Sequence, residues 1–358
     1  MSAACGGDGP VPLNSKEELG KRLFFDTALS NPPGQSCGTC HSSARAFTDP
    51  DSVRVPTSHG AVPERFGFRN TPSLNYVAFN PLFHFSEEEE DFIGGLFWDG
   101  QAATLEDQAK RPFLRSIEMN NESPEQVISK VRQADYATMF RNVFGNDALD
   151  SPDSALERVA EAIAAFERSN DFGRFSSKYD AFLRGDATLS SEEREGLALF
   201  NDPAKGNCAA CHPSAPSDGK PPLFTDFTYD NIGVPRNPNN PFYRESAAIN
   251  PEGETFTDRG LENSSGRTSD AGRFKVMTLR NIAVTAPYFH NGAMGTLEDV
   301  VHFYNARDVE RVVPEIAEGV NKDELGNLGL TLSEEAKIVT FLKTLTDGYS
   351  AEKEEIGN

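Results

Sequence analysis

Two short turns constrain this chain more than any other feature: Cys37-Gly38-Thr39-Cys40-His41 and, far downstream, Cys208-Ala209-Ala210-Cys211-His212. In each, two thiols are separated by two residues and followed at once by a histidine. Two intervening residues let one turn of chain span neighbouring porphyrin vinyl groups in thioether linkage, and the adjacent histidine then lies under the iron. A zinc centre of the paired type would join both cysteine pairs in one tetrahedron, with no use for a histidine after each. The turns therefore predict two covalent c-type haems, one on Cys37, Cys40 and His41 and one on Cys208, Cys211 and His212.

The segments around the turns repeat as well. Glu18-Leu19-Gly20-Lys21-Arg22-Leu23-Phe24-Phe25-Asp26 precedes the first, and Arg194-Glu195-Gly196-Leu197-Ala198-Leu199-Phe200-Asn201-Asp202 the second. Both read as a short amphipathic helix running into the haem turn. Phe47-Thr48-Asp49 is echoed by Phe224-Thr225-Asp226. Phe97-Trp98-Asp99-Gly100 with Thr104-Leu105-Glu106-Asp107 is echoed by Phe289-His290-Asn291-Gly292 with Thr296-Leu297-Glu298-Asp299, each threonine standing where it caps a new helix. Apolar-periodic helices over 155–168 and 333–345 close the two halves.

The predicted fold class is therefore all-α, mostly helical with long loops: two cytochrome-c-like domains over 13–170 and 171–347, each wrapped on one covalent haem, with tails at 1–12 and 348–358. The Pro-, Gly- and Asn-rich stretch 213–272 reads as loop, too polar to pack by itself. No run approaches the ~20 apolar residues of a membrane span. With Lys+Arg 34 against Asp+Glu 55, the formal charge of -21 excludes nucleic acid as a natural partner and favours a basic or neutral protein surface. The acidic run 87–91 reads as a solvated loop. Cys5, in Ser2-Ala3-Ala4-Cys5-Gly6-Gly7, resembles the end of a bacterial lipoprotein signal and is the candidate for a lipid anchor, against the plainer reading of a stray cysteine in a tail.

Superimposing the two Thr-Leu-Glu-Asp helices makes the two irons unequal. Leu297, Val300, Val301 and Tyr304 share one face, and their counterparts are Leu105, Gln108, Ala109 and Pro112. Proline has no donor for iron. If this face covers the haem in both halves, Tyr304 caps the second iron while the first stays open to a small molecule. Beside an open iron a peroxidase needs a group that moves a proton between the two peroxide oxygens. Glu118, just past Pro112, with Gln108 a turn before it, suits that duty. Trp98, the single tryptophan, occupies the place of His290 in the other half; it is either core packing or an oxidisable relay between haems.

With these residues in order, the chain resembles the bacterial di-haem cytochrome c peroxidases, and specifically their MauG-like branch, from about Leu13 to Asp347. The resemblance implies His41 as proximal ligand of a high-spin peroxidatic haem with Gln108, Pro112 and Glu118 in its distal pocket. It implies His212 as proximal ligand of a low-spin haem, and Trp98 between the two. It also implies a calcium ion held between domains by Asn70, Thr285 and Pro287, whose oxygens suit a hard cation. Tyr304 stands where ordinary peroxidases of the family carry methionine, as in the MauG-like proteins, and a phenolate ligand favours higher oxidation states. Met294, ahead of the covering helix, is badly placed as a substitute. A MauG protein carries a surface tryptophan two residues before its second motif; here that position is Gly206. His59 corresponds poorly in spacing to the loop histidine of resting peroxidases and reads as exposed.

The resemblance implies a periplasmic enzyme, membrane-anchored if Cys5 is acylated, that reacts with hydrogen peroxide and oxidises tryptophan side chains of a partner protein. Two other functions stay open: a cytochrome c peroxidase drawing electrons from a small cytochrome or cupredoxin, and a di-haem electron carrier. The carrier leaves Glu118 and Gln108 without a role.

Overall fold

The computed structural model describes residues 15–350 apart from 53 and 218, so Cys5 lies outside the described residues. The first half is carried by α1 (Lys16–Phe25), α2 (Cys37–Cys40), α3 (Leu105–Leu114), α4 (Pro124–Gln133), α5 (Ala137–Phe144) and α6 (Pro152–Glu167). The second is carried by α7 (Lys178–Arg184), α8 (Ser191–Asn201), α9 (Glu262–Ser265), α10 (Leu297–Ala306) and α11 (Leu332–Lys343). Strands β1 (His84–Ser86) and β2 (Asp91–Ile93) pair antiparallel, as do β3 (Tyr229–Asp230) and β4 (Phe274–Lys275).

The helices start where side chains can satisfy their first free N–H groups. Ser15 accepts from the Glu18 amide, and Ser190 forms a capping box with Glu193. Thr104 accepts from the Asp107 amide at the head of α3, and Thr296 closes a box with Asp299 at the head of α10. Proline opens α4 and α6, where no N–H is needed.

Each half is held by one helix crossing, and the duplicated sequence meets it at the same position. Gly20 of α1 lies against α6 so closely that a Cβ there would come within 1.8 Å of the Ala162 carbonyl oxygen. Gly196 of α8 lies against α11 in the same way: a Cβ there would come within 2.0 Å of the Lys337 carbonyl oxygen. Only glycine permits this backbone approach, and the approach sets where each helix delivers the haem turn that follows it. Around the first crossing gathers a core including Leu19, Leu23, Phe24, Phe113, Phe140, Val159 and Phe166. Around the second gather Phe200, Phe224, Val301, Ile338, Phe341 and Leu342.

Three regions gain detail that the sequence reading lacked. Residues 87–90 are the exposed tip of the β1–β2 hairpin, but Asp91 belongs to β2 and pairs with Arg273, so the acidic run is not wholly a solvated loop. The stretch 213–272 is irregular yet packed. Its buried Asn231, Asn237, Asn240 and Asn250 donate to backbone carbonyls of Ile316, Asn291, Phe68 and Phe242, replacing the ladder a helix or strand would supply. Tyr229 and Leu261 join Phe92 in a small apolar cluster of their own. At the other end, Gly348 and Tyr349 are hydrogen-bonded to Ser176, so the chain is tied down two residues past 347.

The halves meet through buried polar contacts. Arg280 lies in a fully buried pair with Asp180, 2.9 Å at each of two contacts, while its guanidinium faces the Tyr76 and Phe175 rings. Arg69 is clamped between Asp99 of one half and Asp258 of the other, at 2.8 and 2.6 Å.

The crossing glycines give a direct test. Gly196→Ala should push α8 from α11 and lower unfolding stability by about 1–3 kcal/mol, the usual cost of overpacking a close contact. Denaturant melts of the two proteins would measure it, and equal midpoints would show that the crossing can relax.

Candidate active site

The haem turns end at histidines that the backbone holds in one orientation. Nδ1 of His41 lies 2.9 Å from the Phe47 carbonyl oxygen, and Nδ1 of His212 lies 2.8 Å from that of Phe224. A carbonyl can only accept, so Nδ1 carries the proton and Nε2 is left as the ring nitrogen with a free lone pair. Both phenylalanines sit at positive φ, 57° and 54°, a conformation a bulky residue adopts only when its surroundings impose it. These two residues stood in the sequence as echoes without a role; their role is to turn a carbonyl toward the ligand histidine. Burial pushes both imidazoles below their ordinary range, to about 4 for His212, which keeps them neutral as metal ligands must be.

Each histidine looks into its own cavity. The first has a cavity volume of about 140 Å³ and is lined by Cys37, Cys40, His41, Gln108, Pro112 and Glu118. The second has a cavity volume of about 200 Å³ and is lined by Cys208, Cys211, His212, Leu297, Val300 and Tyr304. Two half-buried thiols at one edge, an oriented imidazole and apolar walls are the features a covalent haem requires, so the residues present fit one such group in each cavity. Among the described residues no three His, Cys, Asp or Glu side chains cluster as a metal site outside this arrangement.

The two cavities differ where the helices α3 and α10 face them. Pro112 lines the first and Tyr304 the second. Met294 is absent from the lining of the second cavity; it pairs with Tyr288 in an isolated bridge and packs at the edge of the core. Burial pushes the Tyr304 phenol well above its ordinary range, so only a cation at its oxygen would draw off the proton.

Glu118 does not stand alone. Arg115 Nη1 donates to Glu118 Oε1 at 3.0 Å, the same guanidinium contacts Gln101, and it lies over the Phe97 ring. Arg115 and Gln101 also line the first cavity, and sequence reasoning missed both; the closeness of Arg115 to Glu118 hinted at the first, and nothing in the sequence pointed to Gln101, which lies ahead of α3. His59 lines this cavity from an exposed position, its ring against Phe66 and its Nδ1 3.3 Å from the Pro63 carbonyl oxygen.

Trp98 lines both cavities. Its indole N–H donates to the Asn70 carbonyl at 2.8 Å, its own carbonyl accepts from the Lys275 amide, and its ring meets His290 edge-on at 6.5 Å. Asn70, of the expected calcium set, donates through its side chain to Pro56 O, and Gly292 lies against both Pro56 and Pro287, so Asn70 and Pro287 share one neighbourhood at the junction. Thr285 is two residues away, its hydroxyl donating to Ile282 O. Gly206 is packed against Leu199 O at 2.5 Å from any added Cβ, leaving no room for a side chain there.

Two helical halves, each closing a cavity over a Cys-x-x-Cys-His turn and joined through one shared tryptophan, define a two-centre c-type redox protein. The family model for di-haem cytochrome c peroxidase matches residues 14–188. The chain is 38% identical to the methylamine utilization protein MauG of Paracoccus denitrificans (strain Pd 1222), covering 92% of this chain and 88% of that protein. It is 32% identical to the cytochrome c551 peroxidase of Nitrosomonas europaea, over 92% and 79% of the two chains. The crystal structure of the diheme peroxidase BthA from Burkholderia thailandensis E264 superimposes with a TM-score of 0.81 at 34% identity, over 93% and 86%. This chain belongs to the di-haem cytochrome c peroxidase family and is an oxidoreductase of the peroxidase kind.

If Glu118 moves the proton and Arg115 aims it, the nearly isosteric Glu118→Gln should slow reaction with peroxide by about 10²–10⁴-fold with both haem spectra retained. Arg115→Met should slow it by up to about 10²-fold through misplacement. Stopped-flow mixing measures both; an unchanged rate in Glu118→Gln would remove that carboxylate from the reaction.

Proposed function

We propose that this protein is a MauG-like enzyme: peroxide reacts at the first haem, the oxidising equivalents are shared across Trp98 with the second, and a partner protein is oxidised, at tryptophan. The observation that carries this reading is Tyr304, lining the second cavity with His212 at the helix position where the first cavity has Pro112. The 38% identity to a MauG supports the same branch.

Haem bound at the two turns supplies an iron that cleaves the peroxide O–O bond and stores the oxidising equivalents. The chain's residues do the rest. Pro112 offers no donor atom, so with haem on Cys37, Cys40 and His41 it would leave room for peroxide in the first cavity. Glu118, held by Arg115, takes the proton from the near peroxide oxygen and returns it to the far one, so that water leaves. Gln108 and the apolar wall orient the peroxide and limit bulk water. Trp98, touching both cavities with its indole N–H fixed by Asn70, bridges the two centres. The Tyr304 oxygen, as a ligand, adds negative charge to the second centre and lowers its potential, which favours loss of an electron there.

The protein substrate is a basic or neutral surface, matching the formal charge of -21. Gly206, with no room for a side chain, implies an exit route and partner different from a MauG that uses tryptophan at that place. A periplasmic setting suits covalent haem attachment, with Cys5 as the candidate anchor. Among the described residues no helix is long and apolar enough to cross a membrane. The second reading, a cytochrome c peroxidase drawing electrons from a small cytochrome or cupredoxin, is favoured by the 32% identity to such an enzyme. It would make a sixth-ligand tyrosine unhelpful. A bare di-haem carrier leaves Glu118 and Arg115 idle.

Incubating the protein with peroxide and candidate partners, then weighing the partners by intact-mass spectrometry, tests the reading. Oxygen added or hydrogen lost at a tryptophan supports it; rapid peroxide reduction with ferrous cytochrome c, and no modified partner, favours the second reading. Tyr304→Met should raise the second haem's midpoint potential and abolish partner oxidation while peroxide still reacts at the first.

Calcium is proposed between the halves on oxygens of Asn70, Thr285 and Pro287. Exhaustive chelation should perturb the haem spectra and slow turnover, with recovery on adding calcium. Spectra and rate unmoved by chelation would refute the site.

A further inference from the structure

Glu167, the last residue of α6, is a carboxyl that the peroxide chemistry above does not use. It lines the first cavity, is 3% exposed, and its Oε2 is buried without a hydrogen-bond partner. A charge in that position is poorly supported. It sits at the negative, C-terminal end of the α6 dipole, which disfavours a carboxylate. Burial is the largest influence and pushes the acid up to about 8, with Glu106 raising it further against the pull of Arg168.

The charged groups around it are already committed elsewhere. Arg168, next on the chain, is paired with Glu106 of α3 at 2.6 and 3.1 Å. From α3, Lys110 holds Glu157; from α1, Lys16 and Lys21 hold Glu161 and Asp171. From α4, Lys130 donates to Ser30 O and Asn121, and Arg132 to Leu149 O and Glu125. Across the cavity edge the titratable neighbour is Cys37, whose thiol is raised by Glu167 after burial itself. In a thioether that thiol is gone, and Glu167 is left beside the attachment edge with one free oxygen.

We propose that Glu167 is the proton-exchanging group of the first haem. When the iron goes from ferrous to ferric, one electron leaves to the external oxidant and one proton leaves the Glu167 carboxylic acid for solvent. The site thereby gains no net charge. On reduction both return. A buried centre surrounded by apolar walls otherwise pays the full desolvation of each added charge, and a neutral acid at its edge that gives up its proton offsets it. Glu118, the other carboxyl lining this cavity, already has Arg115 Nη1 at 3.0 Å as its partner, whereas Glu167 Oε2 has none.

The sign follows directly. Deprotonated Glu167 stabilises the ferric state, so the first haem's midpoint potential falls as pH rises through the region around 8. Glutamine at 167 stays neutral, so its potential should remain near the wild-type acid-side value and lie increasingly above wild type as pH rises.

The inference rests on haem attachment at Cys37 and Cys40 but not on the protein-oxidising reading, and haem content by mass spectrometry separates a lost haem from a lost coupling. The experiment is a spectroelectrochemical titration of the first haem against pH in the two-haem protein, comparing wild type, Glu167→Gln and Glu118→Gln. Wild type and Glu118→Gln should show the falling potential, and Glu167→Gln should lose it. Equal slopes in wild type and Glu167→Gln would overturn the proposal. Should Glu167→Gln fail to retain both haems, Glu118→Gln protein grown with carboxyl-labelled glutamate is read by redox infrared difference spectroscopy. A labelled carboxylic-acid band lost on oxidation supports the assignment, and its absence overturns it.

Discussion

The bond from an imidazole N–H to a phenylalanine carbonyl is the contact on which each half of this protein turns. His41 with Phe47 and His212 with Phe224 make the same bond, and each carbonyl is brought round by a phenylalanine at positive φ. The strain of that backbone, of order 1–3 kcal/mol at each such residue, is tolerable only because the Phe side chains sit in the cores. In return the histidine tautomer and the ring plane are set before any metal arrives. The histidine and its acceptor lie on one short loop, 6 residues apart in the first half and 12 in the second, so the bond closes that loop on itself.

Upon this shared frame the halves diverge through single substitutions at equivalent helix positions. Pro112 and Tyr304 give one cavity a donor-free face and the other an oxygen. Arg115 and Arg307 are a second such pair. Arg115 remains partly exposed and is aimed at Glu118, whereas Arg307 is buried and donates to the carbonyls of Ile232 and Asn321, holding the wall of the second cavity. One arginine reaches a carboxyl at a cavity wall and the other braces a scaffold. The two halves repeat one frame, and substitutions on one helix face make the two cavities chemically unlike.

The junction explains how the two can act together. Trp98 is held by a hydrogen bond from its ring and another to its backbone, and it faces both cavities. Beside it, Arg69 is clamped by carboxylates from both halves, and His290 stacks on Phe274 with ring centroids 3.6 Å apart. Removing either partner of such a desolvated pair typically costs about 3–5 kcal/mol, so the halves are held in one relative placement. That fixed placement is what a relay between two centres requires.

By itself the sequence determined the chemistry of the cofactor turns, the duplication, the helices that flank each turn and the inequality of Pro112 and Tyr304. Those are matters of local spacing and of aligning one half on the other. Tertiary structure decided what depends on contacts between distant segments. It gave Phe47 and Phe224 their role, because a backbone carbonyl's direction is invisible in residue identity. It drew Arg115 and Gln101 around Glu118, and it packed the stretch 213–272 through asparagine side chains whose partners lie up to 172 residues away. It also separated Glu167 from the surface glutamates around it. In sequence they look alike, but the last turn of α6 packs one carboxyl against a cavity and leaves the others in water, and burial is the largest influence on the energy of its charge.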